Sequence, residues 1–244
     1  MKRIDEALDD ENLIELMHSD PVGRNSDLAD LAGIIGSIEG GYSLFLDSDW
    51  GTCKTTFVKQ LAYLLRMSNQ NLDTSDNASR LIEEGSELSV FKDLSSFLPV
   101  YYNAWENDYW DDPLPSIAAT VASGTDASFE NETTVWEKVT AICDGVLSIM
   151  GMGGATAVRE GFEGKDLLEH YKNRVELRGR ITELIGLLLP ETANPLLLII
   201  DEQDRCKPSF ALKILEEMKS LFVDDRVIIL YSVNTSQLAI AIEG

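Results

Sequence analysis

The chain has 244 residues, 44% of them hydrophobic and 25% charged, ordinary values for a globular protein with one sizeable core or two small ones. Its formal net charge of -22 argues against nucleic acid as a partner, which needs a basic patch, and against attraction to anionic lipid. Three widely spaced cysteines (Cys53, Cys143, Cys206) and two histidines (His18, His170) form no Cys-x-x-Cys or Cys/His cluster. That argues against zinc or a disulfide framework and for a reducing, cytoplasmic compartment.

Residues 1–40 read as a helical lead-in, acidic from the start (MKRIDEALDDENLIELM) and without an apolar signal core. The remainder, 41–244, reads as one domain with insertions at about 68–95 and 123–165. Four apolar runs have the unbroken hydrophobic character of buried parallel strands: SLFLD (43–47), PVYYNAW (99–105), LLLIID (196–201) and RVIILYSVN (226–234). Helical spacing follows the first run at Phe57, Leu61, Leu64 and Leu65. A long helix is expected through Leu167, Leu168, Tyr171, Val175, Ile181, Leu184, Ile185 and Leu188. Another is expected through Ala211, Ile214, Leu215, Met218 and Phe222, with Pro208 in its first turn. Strands alternating with helices imply an α/β fold with right-handed crossovers. The polar part of the first insertion reads as a surface excursion with a short helix. In the second, Val139–Val158 has about the length of a membrane span, but it carries Asp144 and four glycines and has no cluster of Lys or Arg at its flanks. A buried or partner-facing helix is the favoured reading there, and membrane association stays open.

The chemistry concentrates after the first strand, in DSDWGTCKTTF. A phosphate-cradling loop turns backbone N–H groups inward, adds the positive end of a helix and places a Lys ammonium on the terminal phosphates. The hydroxyl after that lysine binds magnesium. Lys54, Thr55 and Thr56 open a helix directly after a strand, as such a loop requires, and Asp49, Trp50, Gly51, Thr52 and Cys53 form the loop itself. The strict pattern fails at Ser48 and Cys53, where glycine is expected. A Cβ at residue 53 adds strain on the order of 1–3 kcal/mol, which weakens binding without abolishing it. The same unit also reads as plain structure with Lys54 solvated. Further on, the third strand ends in Asp201-Glu202, where Asp201 would hold magnesium and Glu202 would polarise an attacking water. The bland alternative is a core strand that ends at the surface. Asn234, after the fourth strand, would either reach the γ-phosphate or simply make a turn.

The segments DWGTCKTTF, YYNAWEND, IIDEQDRCKPSFALKILEEMKSLF and VIILYSVNTSQLAIAI, in that order, resemble the KAP family of P-loop NTPases. DPVGRNSDLADLAGII is similar to that family's lead-in. The resemblance implies a three-layer P-loop NTPase sandwich with a mainly parallel sheet and helical insertions. It implies ATP and Mg2+ as ligands, Trp50 and Gly51 within the loop, and Asn103 and Trp105 near the active edge. Arg205 would orient the acidic segment or reach a neighbouring subunit. Relatives often carry transmembrane helices between the two nucleotide motifs, and bacterial ones are associated with defence against phage and with signalling. They also continue into a fifth strand and a helical lid, a region expected to be absent here. The first strand would then keep an open apolar edge, to be covered by a protein partner or a second copy. The expected function is Mg-dependent ATP hydrolysis driving a conformational or assembly switch. The alternative is a non-hydrolysing regulatory or scaffold module with a degenerate loop. A small-molecule kinase would share the loop, but no substrate-binding signature accompanies it.

Overall fold

The computed structural model describes residues 9–69, 81–83, 86–110, 112–124, 175–176, 178–183, 185–187, 189, 195–221 and 225–243. Most of the two insertions, including Val139–Val158, and the first part of the long helix expected from Leu167 lie outside the described residues.

Four strands form one parallel sheet: β1 (Tyr42–Asp47), β2 (Leu98–Asn103), β3 (Leu196–Asp201) and β4 (Val227–Val233), in the spatial order β1-β4-β3-β2. The inner strands, β3 and β4, are buried along their whole length, which is why they read as continuous apolar runs. At the edges, β2 alternates buried with half-buried residues and β1 is the most exposed. Phe45 of β1 is 51% exposed and stacks on Tyr231 of β4, with ring centroids 4.6 Å apart. The second apolar run stops being a strand at Asn103: Ala104 turns out of the sheet and Trp105–Asn107 form a short 3-10 helix.

Helices cover both faces, giving three layers. One face carries α1 (Asp10–Ser19), α2 (Asn25–Gly36) and α3 (Lys54–Ser68), together with a 3-10 helix, Glu87–Leu94. The other carries α4 (Leu114–Ser123), α5 (Pro208–Leu221) and α6 (Thr235–Glu243). Ile181, Ile185 and Leu189, helical residues at the far end of the long helix expected from Leu167, are buried against the same face. Val175, expected on that helix's core side, is exposed. The end of the first insertion is no surface excursion either. Leu81, Leu88, Phe91 and Leu94 are buried in the core shared with α2 and α3. Gly36 permits the closest approach, since a Cβ there would meet Leu94 Cδ2 at 2.6 Å.

The lead-in helices belong to that core. Asp9 caps α1 by accepting from Asn12 N at 2.9 Å, and Leu13 and Met17 face inward one turn apart. Leu28, Ala32 and Ile35 of α2 are fully buried beside α3. Truncating such a residue costs both transfer energy and a cavity. Leu28→Ala is therefore expected to lower stability by about 2–5 kcal/mol in urea unfolding. A change below ~0.5 kcal/mol, the size of an ordinary surface substitution, would mean that the lead-in is an appendage.

Candidate functional site

Parallel pairing in register sets Asp47 beside Val233, Asp201 beside Ser232 and Asn103 beside Asp201. All four strands thus end at one rim of the sheet, where ligands bind in open α/β folds. The loop after β1 lies across this rim. Ser48 N donates to Val233 O at 3.3 Å, and Asn234 Nδ2 donates to Asp49 Oδ1 at 3.4 Å. Trp50 Nε1 donates to Asp204 Oδ2 at 2.5 Å, joining this loop to the turn after β3. Asp47 accepts from both Thr235 N (2.8 Å) and Thr235 Oγ1 (2.7 Å), which joins the end of β1 to the start of α6. Those bonds hold the Asp47 carboxyl below its ordinary value, with Lys54 adding to the effect.

Within the loop, the Ser48 and Thr52 hydroxyls meet at 2.6 Å and Thr52 Oγ1 donates to Asp49 O at 2.8 Å. Gly51 takes φ +80, as glycine can. Cys53 takes φ 60, ψ 35, a left-handed conformation, immediately before α3 begins at Lys54. The strain that the sequence places at residue 53 is thus located: a Cβ where the backbone favours none, at a cost of about 1–2 kcal/mol. Left-handed residues alternating with right-handed ones turn successive N–H groups into one concavity, an anion nest. The first N–H groups of α3 add the positive end of its dipole. Lys54 Nζ reaches back across the loop to Ser48 O and to Asp49 O (3.0 Å). It is bonded to the loop, not free in solvent.

Asp201 does not end at the surface. It is 1% exposed, and strand alternation puts it, with Ser232, on the face covered by α3, whose first turn carries Thr55. Tyr101 Oη donates to Asp201 Oδ2 at 3.0 Å. Burial first, then the Asp201 charge, raises the Tyr101 phenol well above its ordinary value, so it stays a donor. No salt bridge reaches Asp201 among the described residues. The neighbouring Ser232 Oγ is buried with no hydrogen-bond partner. A buried carboxylate without a counter-cation, next to an orphaned hydroxyl, is short of positive charge and donors. Hard oxygen donors such as Asp201 and Thr55 suit magnesium. Among the described residues no three His, Cys, Asp or Glu are grouped to hold a metal by themselves. A magnesium ion bound here would complete its shell with phosphate oxygens and water, as that ion usually does. The residues fit.

Glu202 follows in the left-handed region too, at φ 60, ψ 24. Its carboxylate pairs with Arg205 NH1 at 2.9 Å and accepts from Asn103 Nδ2 at 3.4 Å. Burial, then the charges of Asp201 and Asp204, push the Glu202 carboxyl up; Arg205 and Asn103 pull it back. The Arg205 guanidinium also lies over Trp105, 5.8 Å from the ring centroid. Asn234 has two commitments: Oδ1 accepts from Gln237 N at 3.0 Å as a cap of α6, and Nδ2 holds Asp49.

The model of the KAP family P-loop domain matches residues 24–244. The chain belongs to that family. No curated protein matches the sequence. The KAP domain is thus a nucleotide-binding P-loop domain with an α/β fold, and the match begins at Arg24, inside the lead-in. Among its described residues, no helix is long and apolar enough to cross a membrane. Spacing along the chain reveals neither the left-handed Glu202 nor the Trp50–Asp204 bond, nor the contact of Arg24 with the loop described below. Each depends on where distant turns meet.

The two described cysteines differ sharply. Cys53 is exposed on the loop, whereas burial, then Asp108, pushes the Cys206 thiol up to about 12. Thiolate is the reactive form. Iodoacetamide at neutral pH is therefore expected to label Cys53 and spare Cys206, as read by peptide mass mapping. Equal labelling of both would contradict this arrangement.

Proposed function

We propose that this KAP domain binds ATP with magnesium at the rim loop and hydrolyses it, using the cycle as a conformational or assembly switch. The observation that carries the reading is the meeting of two parts on one rim. The Lys54-led helix start stands on one side, and the buried Asp201 with the clamped Glu202 stands on the other. A cavity of about 430 Å³ adjoins the loop, lined by Val22, Asn25, Gly51, Cys53, Thr56 and Gln60. It has the size and the partly apolar wall that a nucleoside requires.

In this reading the N–H groups from Gly51 to Thr55 hold the phosphate oxygens, and Lys54 exchanges two carbonyl partners for charged phosphate. Thr55 and Asp201 hold the magnesium ion, which when bound neutralises charge on the phosphates. Glu202 accepts the proton of the attacking water. Its position is set by Asn103 and Arg205, and its raised pKa makes it a better proton acceptor than an ordinary carboxylate. Asn234, through Asp49, holds the loop against β4. Such a nucleotide and free thiols fit a cytoplasmic domain.

The second reading is a regulatory module that binds nucleotide without turning it over. Cys53 at φ 60 favours it, because the strain falls on the residue nearest the phosphates. Magnesium-dependent ATP turnover separates the two. Lys54→Ala is expected to weaken ATP binding by about 10–100-fold, the worth of a hydrogen bond to a charged group. Glu202→Gln is expected to keep binding and lose roughly 10²–10⁴-fold in kcat. Binding by the native chain with no turnover that Glu202→Gln can abolish selects the regulatory module.

The acid limb of turnover should follow Glu202. Only the ionised carboxylate accepts a proton, so activity falls as pH drops through its raised pKa. Arg205→Ala removes a neighbour that lowers that pKa, so the limb should move to higher pH. A shift to lower pH, or none, would remove Glu202 from the proton-accepting role.

A further inference from the structure

Arg24 stands in the turn between α1 and α2, and that turn is closely built. Asp20 ends α1 in the left-handed region at φ 34, and its carboxylate accepts from Arg24 N at 2.7 Å and Asn25 N at 3.4 Å. Gly23, at φ +68, donates to Asp20 O at 3.2 Å, and Asn25 Nδ2 donates to Met17 O at 2.8 Å. The turn therefore delivers the Arg24 side chain in one direction, onto the loop after β1, beside the cavity that it helps to line. There NH2 donates to Thr52 O at 2.5 Å and NH1 to Cys53 O at 3.3 Å, while the guanidinium carbon lies 5.8 Å from the Phe57 ring centroid.

These two carbonyls flank the strained residue. In a planar trans peptide the C=O and the following N–H point in opposite directions. Fixing Thr52 O and Cys53 O outward turns the N–H groups of Cys53 and Lys54 inward, the orientation an anion nest requires. Cys53 O also accepts from Phe57 N at 3.1 Å, so the same carbonyl is held from the helix side. The planar guanidinium suits this task, since it reaches both oxygens with one rigid fork and stacks on an aromatic face. Glycine at residue 53 would hold the left-handed conformation unaided, whereas a Cβ disfavours it by about tenfold or more in population.

We propose that Arg24 is a positioning residue for the phosphate loop. Its clamp on the Thr52 and Cys53 carbonyls keeps Cys53 left-handed and so takes over the work a glycine would do there. The proposal rests on the reading of the loop as a phosphate site, but it makes a claim about loop shape that needs no nucleotide.

The test compares the native chain, Arg24→Ala, Arg24→Lys, Cys53→Gly and the double variant Arg24→Ala/Cys53→Gly. The φ of residue 53 is read by NMR from chemical shifts and scalar couplings without ligand, and the Kd for MgATP is read by calorimetry. With cysteine at 53, Arg24→Ala should release residue 53 from the left-handed region and weaken MgATP by about tenfold. With glycine at 53, the same substitution should leave φ positive and change Kd less than about twofold. Arg24→Lys, which offers donors without the fork, should recover part of the loss. Equal losses in the two backgrounds would make Arg24 an ordinary buttress and overturn the proposal. So would a residue 53 that stays left-handed in Arg24→Ala. If no variant binds MgATP, the nucleotide reading fails while φ of residue 53 still decides the proposal. Should Arg24→Ala not fold, Arg24→Gln, which keeps the stem near Phe57, is read in the same way.

Discussion

Parallel pairing in strict register is the constraint on which the site depends. Because Asp201 pairs with Ser232 and Asn103 with Asp201, the polar ends of three strands share one rim. A slip of one residue in β3 would send Asp201 to the opposite face, away from α3. The full burial of β3 and β4 prevents that slip, since each of their side chains already fills a layer of the core. The rim is then closed by bonds between neighbouring turns: Trp50 to Asp204, Asn234 to Asp49, and Thr235 to Asp47. Core packing sets where the turns start, and these few bonds set where they meet.

Two residues on the rim, Cys53 and Glu202, hold positive φ without being glycine. They lie in the turns after β1 and β3, the two parts between which a nucleotide would sit. Each has an arginine beside it: Arg24 on the carbonyls of Thr52 and Cys53, and Arg205 on the Glu202 carboxylate. Backbone strain of about 1–3 kcal/mol persists only where surrounding contacts over-determine it. The arginines and Asn103 are such contacts, and they come from three separate parts of the chain.

Much of this fold is legible in the sequence because burial on both sides of a parallel sheet leaves continuous apolar runs. LLLIID and VIILYSV are strands for that reason, and Lys54-Thr55 begins a helix where the pattern changes period. Less legible is whatever depends on two distant segments meeting. Residues 87–94 have a polar approach, yet Leu88, Phe91 and Leu94 are buried because α2 arrives beside them. Asn103 carries no local signal of its contact with Glu202, which needs β2 and β3 paired first. Trp105 looks like part of a strand because its neighbours are aromatic and apolar, but the sheet ends at Asn103 and the indole is left half exposed under Arg205. Asn234 is legible as a polar stop after β4, and its double engagement with Asp49 and Gln237 is not.

Two points are open to direct measurement: whether a triphosphate sits on the loop after β1, and what Lys54 does when it arrives. A crystal structure with a non-hydrolysable ATP analogue and magnesium addresses both. It should show Lys54 Nζ moved from the Ser48 and Asp49 carbonyls onto phosphate oxygens, with magnesium between Thr55 and Asp201. Phosphates bound elsewhere, or a lysine still on those two carbonyls beside a bound analogue, would contradict it.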